Sequence, residues 1–163
     1  MGPPASSARP ETEKLDPVLH ALGFEYVELS PEKVIGRFRV TETCCQPFGV
    51  LHGGVSALVA ESLASGGAHM ASGFQRVAGI NLCINHLRPA RLGDHVVAEA
   101  RPTHLGKAIQ VWDVELWIES PSSASVKRRT LISTSRVTLA CNLPAPEHMK
   151  KAAADALKKY SKL

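Results

Sequence analysis

The sequence predicts one α+β domain: a curved, mainly antiparallel sheet wrapped around a single long central helix. Three observations point there. Residues 54–71 are almost entirely Ala, Val, Leu, Ser and Gly, with one carboxylate, Glu61, and no charged face of the kind a surface helix carries. β-rich segments with alternating apolar residues flank that stretch on both sides. They run about ten residues, longer than the usual five or six, which suits a sheet that curves around something.

The elements follow in order. Residues 1–14, rich in Pro, Ser and Ala, read as a disordered leader without the apolar core of a secretory signal. Residues 14–23, KLDPVLHALG, read as a short helix with Asp16 as cap, Pro17 in the first turn and Gly23 at the end. FEYVEL and KVIGRFRVTE are strands; in the second, Val34, Gly36, Phe38 and Val40 share one face and Arg37 and Arg39 the other. A loop, TCCQPFGVLH, leads into the central helix. Strands are then expected over 76–90, 94–104, 108–119 and 130–142, with Trp112, Val114, Leu116 and Ile118 on one face. Residues 120–129 read as a polar hairpin loop, and residues 145–160 as an amphipathic helix with its lysines outward. The domain proper is therefore 15–143, with 144–163 a C-terminal helical extension.

Composition narrows the function. The chain has 163 residues, 44% apolar and 21% charged, enough for one domain with a real core. No apolar run reaches the roughly 18 residues of a membrane span. The net charge is +4, but aromatics make up only 5% and no basic run interleaves with them, so neither nucleic acid nor membrane is expected as a partner. Cys44, Cys45, Cys83 and Cys141 fit no zinc spacing and read as reduced thiols; the seven histidines, His69 included, lack ligand spacing, so no metal is expected. The chain closes on Ser161, Lys162 and Leu163, the tripeptide of a peroxisomal address read by an import receptor, and the peroxisome matrix is the expected location.

The lone charge is the informative feature. A buried carboxylate is costly unless it is paired or has work to do. Ser65 stands four residues on, on the same helix face, where it can orient a water or a ligand. Gly53 and Gly54 open the helix, and their N–H groups lie at its positive end. Gln46 and His52 sit on the incoming loop as further polar groups. Gly53 and Glu61, however, are eight residues apart, about 12 Å along the axis, too far to attend one carbonyl group. Two helices related by a two-fold axis resolve this, each lending its N-terminus to the other's Glu61. A homodimer with two composite sites is expected.

The pattern from Gln46 to Ser62, Q-P-F-G-x-L-H-G-G followed by E-S, resembles the hotdog-fold acyl-CoA thioesterases, in the branch whose catalytic glutamate acts on aromatic acyl-CoAs. VAGINLCINHLRPA, THLGKAIQVWDVEL and STSRVTLA carry the resemblance over about residues 15–143, and the SKL ending adds a likeness to the plant peroxisomal 1,4-dihydroxy-2-naphthoyl-CoA thioesterases of phylloquinone biosynthesis. The resemblance implies a hotdog fold and hydrolysis of an acyl-CoA, with CoA part of the substrate and no other cofactor. It implies a dimer that assembles further to a homotetramer. By it, Glu61 is nucleophile or general base, the Gly53 N–H polarises the thioester carbonyl, Gln46 and His52 support that carbonyl, and Ser65 helps place water. The aryl pocket would involve the loop from Gln46 to Phe48 and the helix face across the dimer. Gly79, the run His86, Leu87, Arg88 and Pro89, and the run His104, Leu105, Gly106, Lys107, Ala108 and Ile109 fall where the family holds the CoA arm. Read from the residues alone, Arg88, Arg91, Lys107 and Arg136 are cations at strand ends, suited to CoA phosphates or simply solvated.

Other readings predict different features. A broader medium-chain or arylacetyl acyl-CoA thioesterase would differ in pocket shape. A hotdog dehydratase would pair a histidine with the acid, yet none follows Glu61 before His69. A non-catalytic acyl-CoA binder would not need Glu61 in so apolar a helix.

Overall fold

The structure, a computed structural model, describes residues 10–120 and 128–162. Two short helices, α1 (Thr12–Leu15) and α2 (Pro17–Ala21), precede strands β1 (Glu25–Leu29) and β2 (Val34–Arg39). The long helix α3 (Gly53–Ala71) follows, then β3 (Arg76–His86), β4 (His95–Leu105), β5 (Ile109–Ser120), β6 (Arg128–Leu143) and helix α4 (Glu147–Lys158). The strands form one antiparallel sheet in the order β1-β2-β4-β5-β6-β3. Register shifts interrupt the β1–β2, β3–β6, β4–β5 and β5–β6 pairings, and bulges of this kind add bend and twist to a sheet.

The predicted inward face is the core. Val34, Phe38 and Val40 on one side of the sheet, and Trp112, Val114 and Leu116 further along, are buried against Val59, Leu63 and Ala64 of α3. Small residues make that approach possible. A Cβ on Gly67 would lie 2.4 Å from Trp112 Cη2, so α3 rides on the indole through a glycine. On the same inward face, Gly36 leaves room for the Phe24 ring.

Four expectations change. The single helix predicted over 14–23 is two, broken at Asp16, whose extended backbone (φ −152°, ψ 92°) is what a residue before proline adopts. Its carboxylate then caps α2, accepting from the N–H groups of Val18 and Leu19 at 3.1 and 3.0 Å. The leader expected over 1–14 is shorter at its far end: Thr12 is buried and its hydroxyl accepts from the Tyr26 N–H, while residues 1–9 lie outside the described part. The loop expected over 120–129 gives up Ser120, Arg128 and Arg129 to strands, and 121–127 lie outside the described residues. Finally, α3 is not covered all round within one chain. The sheet covers one side, and Ala57, Leu58, Glu61, Ser62, Ser65 and Gly66 form a half-buried strip on the other.

The C-terminal helix is fastened along its second half. Ala154 and Tyr160 are buried and Leu157 packs on the core. The Lys158 ammonium sits 5.0 Å from the centre of the Phe74 ring, just beyond α3. After the helix, the Lys162 N–H donates to the Leu29 carbonyl at 2.8 Å. Before it, Arg76 donates to the Pro144 carbonyl at 2.9 Å.

Candidate active site

Glu61 sits at mid-helix, one turn before Ser65, whose hydroxyl donates to Glu61 Oε1 at 3.3 Å. The carboxylate rests on the backbone of β3. A Cβ built on Gly79 would fall 2.0 Å from Glu61 Oε1, so only glycine admits the acid in this position. Sequence reasoning placed Gly79 with the CoA arm; the structure places it against the acid. A glycine inside a strand was the signal for such a close approach.

Glu61 and Ser65 line a cavity of about 690 Å³, together with Tyr26, Leu29, Val77 and one face of α4. That volume falls in the range of small-molecule sites, and its walls are mainly apolar. Burial, with a smaller contribution from the Asp16 charge, pushes the Tyr26 phenol well above its ordinary range, so it stays protonated at neutral pH.

The other half of the predicted machinery gathers elsewhere. Gln46, Gly53, His86 and Arg88 line a separate cavity of about 360 Å³ at the N-terminus of α3. His52 caps the helix, its Nδ1 accepting from the Gly54 N–H at 2.8 Å. That bond leaves Nε2 to carry the proton in the neutral ring, so the donor expected of His52 is Nε2. The Val55 and Ser56 N–H groups turn back to the His52 carbonyl, at 2.9 and 3.3 Å. Gly53 is the first-turn residue whose N–H has no acceptor among the described residues, which suits it to a ligand oxygen. His86 stands beside it: a Cβ on Gly53 would lie 3.0 Å from His86 Nε2. The Gln46 carbonyl oxygen accepts from the Phe48 N–H at 2.6 Å, leaving the amide NH₂ to donate.

The acid and the helix-end donor therefore belong to different cavities of one chain, as the helical spacing required. The remaining candidates divide. Gly106, Ala108 and Ile109 tie the β4–β5 turn, with Gly106 N–H on the Ile109 carbonyl and Cys141 N–H on the Ala108 carbonyl, while the Lys107 carbonyl accepts from Asn142. His104 lies against Gly106, and Leu105 is exposed. This turn sits at the end of the sheet where β5 and β3 flank Leu139 and Ala140, the same end as Gly79. Leu87 and Pro89 line the smaller cavity with His86 and Arg88. Arg136 is engaged: its guanidinium grips Asp113 across β5–β6 with bonds of 2.7 and 3.0 Å, on the outer face of the sheet.

Similarity to known proteins agrees with this geometry. The thioesterase superfamily profile matches residues 48–125. The chain is 55% identical over 149 residues to 1,4-dihydroxy-2-naphthoyl-CoA thioesterase 2 of Arabidopsis thaliana, covering 91% of this chain and 94% of that protein. It is 37% identical over 111 residues to a 1,4-dihydroxy-2-naphthoyl-CoA hydrolase of Listeria monocytogenes, covering 68% of this chain and 89% of the other. Among solved structures, a thioesterase of Haemophilus influenzae superposes with a TM-score of 0.67 at 34% identity, over 78% of this chain and 85% of that one. A sheet wrapped around an acid-bearing helix, with relatives this similar over nearly their whole length, makes the chain a hotdog-fold thioesterase, a member of the thioesterase superfamily.

Proposed function

We propose that this enzyme hydrolyses 1,4-dihydroxy-2-naphthoyl-CoA to 1,4-dihydroxy-2-naphthoate and CoA, at composite sites in a dimer. The observation that carries the chemistry is the carboxylate of Glu61, seated on the bare backbone of Gly79 in the wall of a 690 Å³ cavity. The aryl substrate is supported by the 55% identity to the Arabidopsis thioesterase.

Glu61 works in one of two ways. As nucleophile, a carboxylate oxygen attacks the thioester carbon, CoA leaves as thiolate and takes a proton, and water hydrolyses the resulting anhydride. As general base, Glu61 takes a proton from the water that attacks, and Ser65 helps hold that water. In both, negative charge develops on the carbonyl oxygen, and the unused Gly53 N–H of a second copy receives it. The balance needs only water.

The dimer is supported by β3. It is a sheet edge eleven residues long, and Ile80 on it is exposed. A two-fold axis passing between Leu82 and Cys83 sets Gly79 opposite His86 of a second copy. Gly79 marks the Glu61 site and His86 marks Gly53, and within one chain they are seven residues apart, about 23 Å along the strand. The same pairing joins acid and donor. In this reading two dimers associate further to a tetramer, the product serves phylloquinone synthesis, and Ser161-Lys162-Leu163 brings the enzyme to the peroxisome matrix through the import receptor.

Three measurements test the proposal. A panel of aryl and straight-chain acyl-CoAs scored by kcat/KM should rank the dihydroxynaphthoyl thioester first; preference for saturated chains overturns the substrate. Glu61→Ala should abolish thiol release from a folded dimer; survival of wild-type activity overturns the role of the acid. A fluorescent fusion ending in SKL should be punctate, and one lacking it diffuse.

A further inference from the structure

We propose that α4 is the selectivity wall of the acyl pocket. Its face Met149, Ala153 and Leu157, spaced one turn apart, bounds the same cavity as Glu61 and Ser65. The helix lies at 147–158, beyond the 48–125 span that the superfamily profile matches.

The occupant is the acyl group of the thioester. The cavity contains the attacking carboxylate, so whatever is bonded to the reacting carbon must lie in it or beside it. On the α3 side the lining is Ser62, Ser65 and Gly66 beside Glu61, with His69 a turn further on; on the α4 side it is Met149, Lys150, Ala153 and Leu157. Tyr26, Leu29, Met149 and Leu157 give the pocket a mainly apolar wall. A fixed apolar wall of this kind suits an aryl acyl group. The wall is held in place from both ends, by Arg76 on the Pro144 carbonyl before it and by buried Tyr160 and the Lys162–Leu29 bond after it. A wall so fixed selects by shape, because moving it would break those contacts.

Ala153 is exposed to the cavity rather than packed in the core, so a larger side chain there enters the pocket without displacing core residues. This inference rests on thioester hydrolysis at Glu61, and its test is a ratio that does not assume the aryl substrate. For Ala153→Phe, kcat/KM with 2-naphthoyl-CoA should fall about tenfold or more relative to that with butyryl-CoA. Inhibition by free CoA should stay as in the wild type, since free CoA carries no acyl group to meet α4. Leu157→Ala should shift the same ratio the other way, by widening the pocket. A ratio unchanged in both variants, or an equal loss on both substrates with weakened CoA inhibition, overturns the proposal. If the wild type itself prefers butyryl-CoA, the aryl assignment fails, and the ratio shift still decides the role of α4.

Discussion

Glu61 and Gly79 are joined by an absence: the acid occupies the space that a side chain on the strand residue would fill, with Oε1 2.0 Å from where a Cβ would be. The first prediction is therefore Gly79→Ala. The added methyl must displace the carboxylate, and displacement of about 1 Å costs on the order of 100-fold in kcat. What the methyl meets is the far end of a flexible side chain, so the thermal midpoint should hardly move. Steady-state kinetics and a melting curve check both halves.

Gly53→Pro removes the first-turn N–H that has no acceptor among the described residues. Proline suits the first helical position, and His52, at φ −65° and ψ 128°, already has the backbone a preceding residue needs. The helix should form and kcat should fall about 100- to 1,000-fold, as when an oxyanion donor is lost. Circular dichroism and kinetics on one sample separate folding from catalysis.

Mixing decides whether the site is shared. Glu61→Ala and Gly53→Pro chains should each be inactive alone, but co-refolded into the proposed dimer they should give mixed pairs in which one of two sites is whole. Random pairing restores about a quarter of wild-type activity. No recovery would place both groups in one chain's site.

Gly67→Val pushes a branched side chain into the Trp112 ring at the middle of the core. Overpacking of this kind costs about 1–3 kcal/mol, measurable as a lower denaturant midpoint at unchanged slope.

Acid should loosen the C-terminal helix. Lys14 first, then Tyr160 and Lys159, hold the Glu11 carboxyl down at about 2, and Tyr160 and Lys159 are the links to the end of α4. A depressed carboxyl pKa stabilises fully above its ordinary value near 4.5, and that contribution is lost as pH falls toward 2. Amide exchange in α4 should quicken over that window, and Glu11→Gln should flatten the trend.

Much of this was legible in the residues. The alternation of Val34, Phe38 and Val40 and of Trp112, Val114 and Leu116 reports directly which face is inward, because strand periodicity is local. The separation of Gly53 and Glu61 was legible for the same reason: both lie on one helix of known rise. What was not legible is what meets what across the chain. Gly79 gives no local hint that its neighbour is Glu61, because α3 and β3 meet only once the sheet has closed. The pocket wall of Met149, Ala153 and Leu157 reads in sequence as the apolar stripe of a surface helix. Asp16 as cap and Pro17 in the first turn were legible as the start of α2, because capping is local.

If the site is composite, as proposed, the parting of acid and donor into two cavities ties the enzyme's activity to its own abundance. On that proposal a newly made chain carries every catalytic group and no complete site. Diluted below the dimer's dissociation constant, activity falls with the square of chain concentration rather than in proportion to it. Hydrolysis of CoA esters is then silent wherever the protein is scarce, and begins only where chains accumulate.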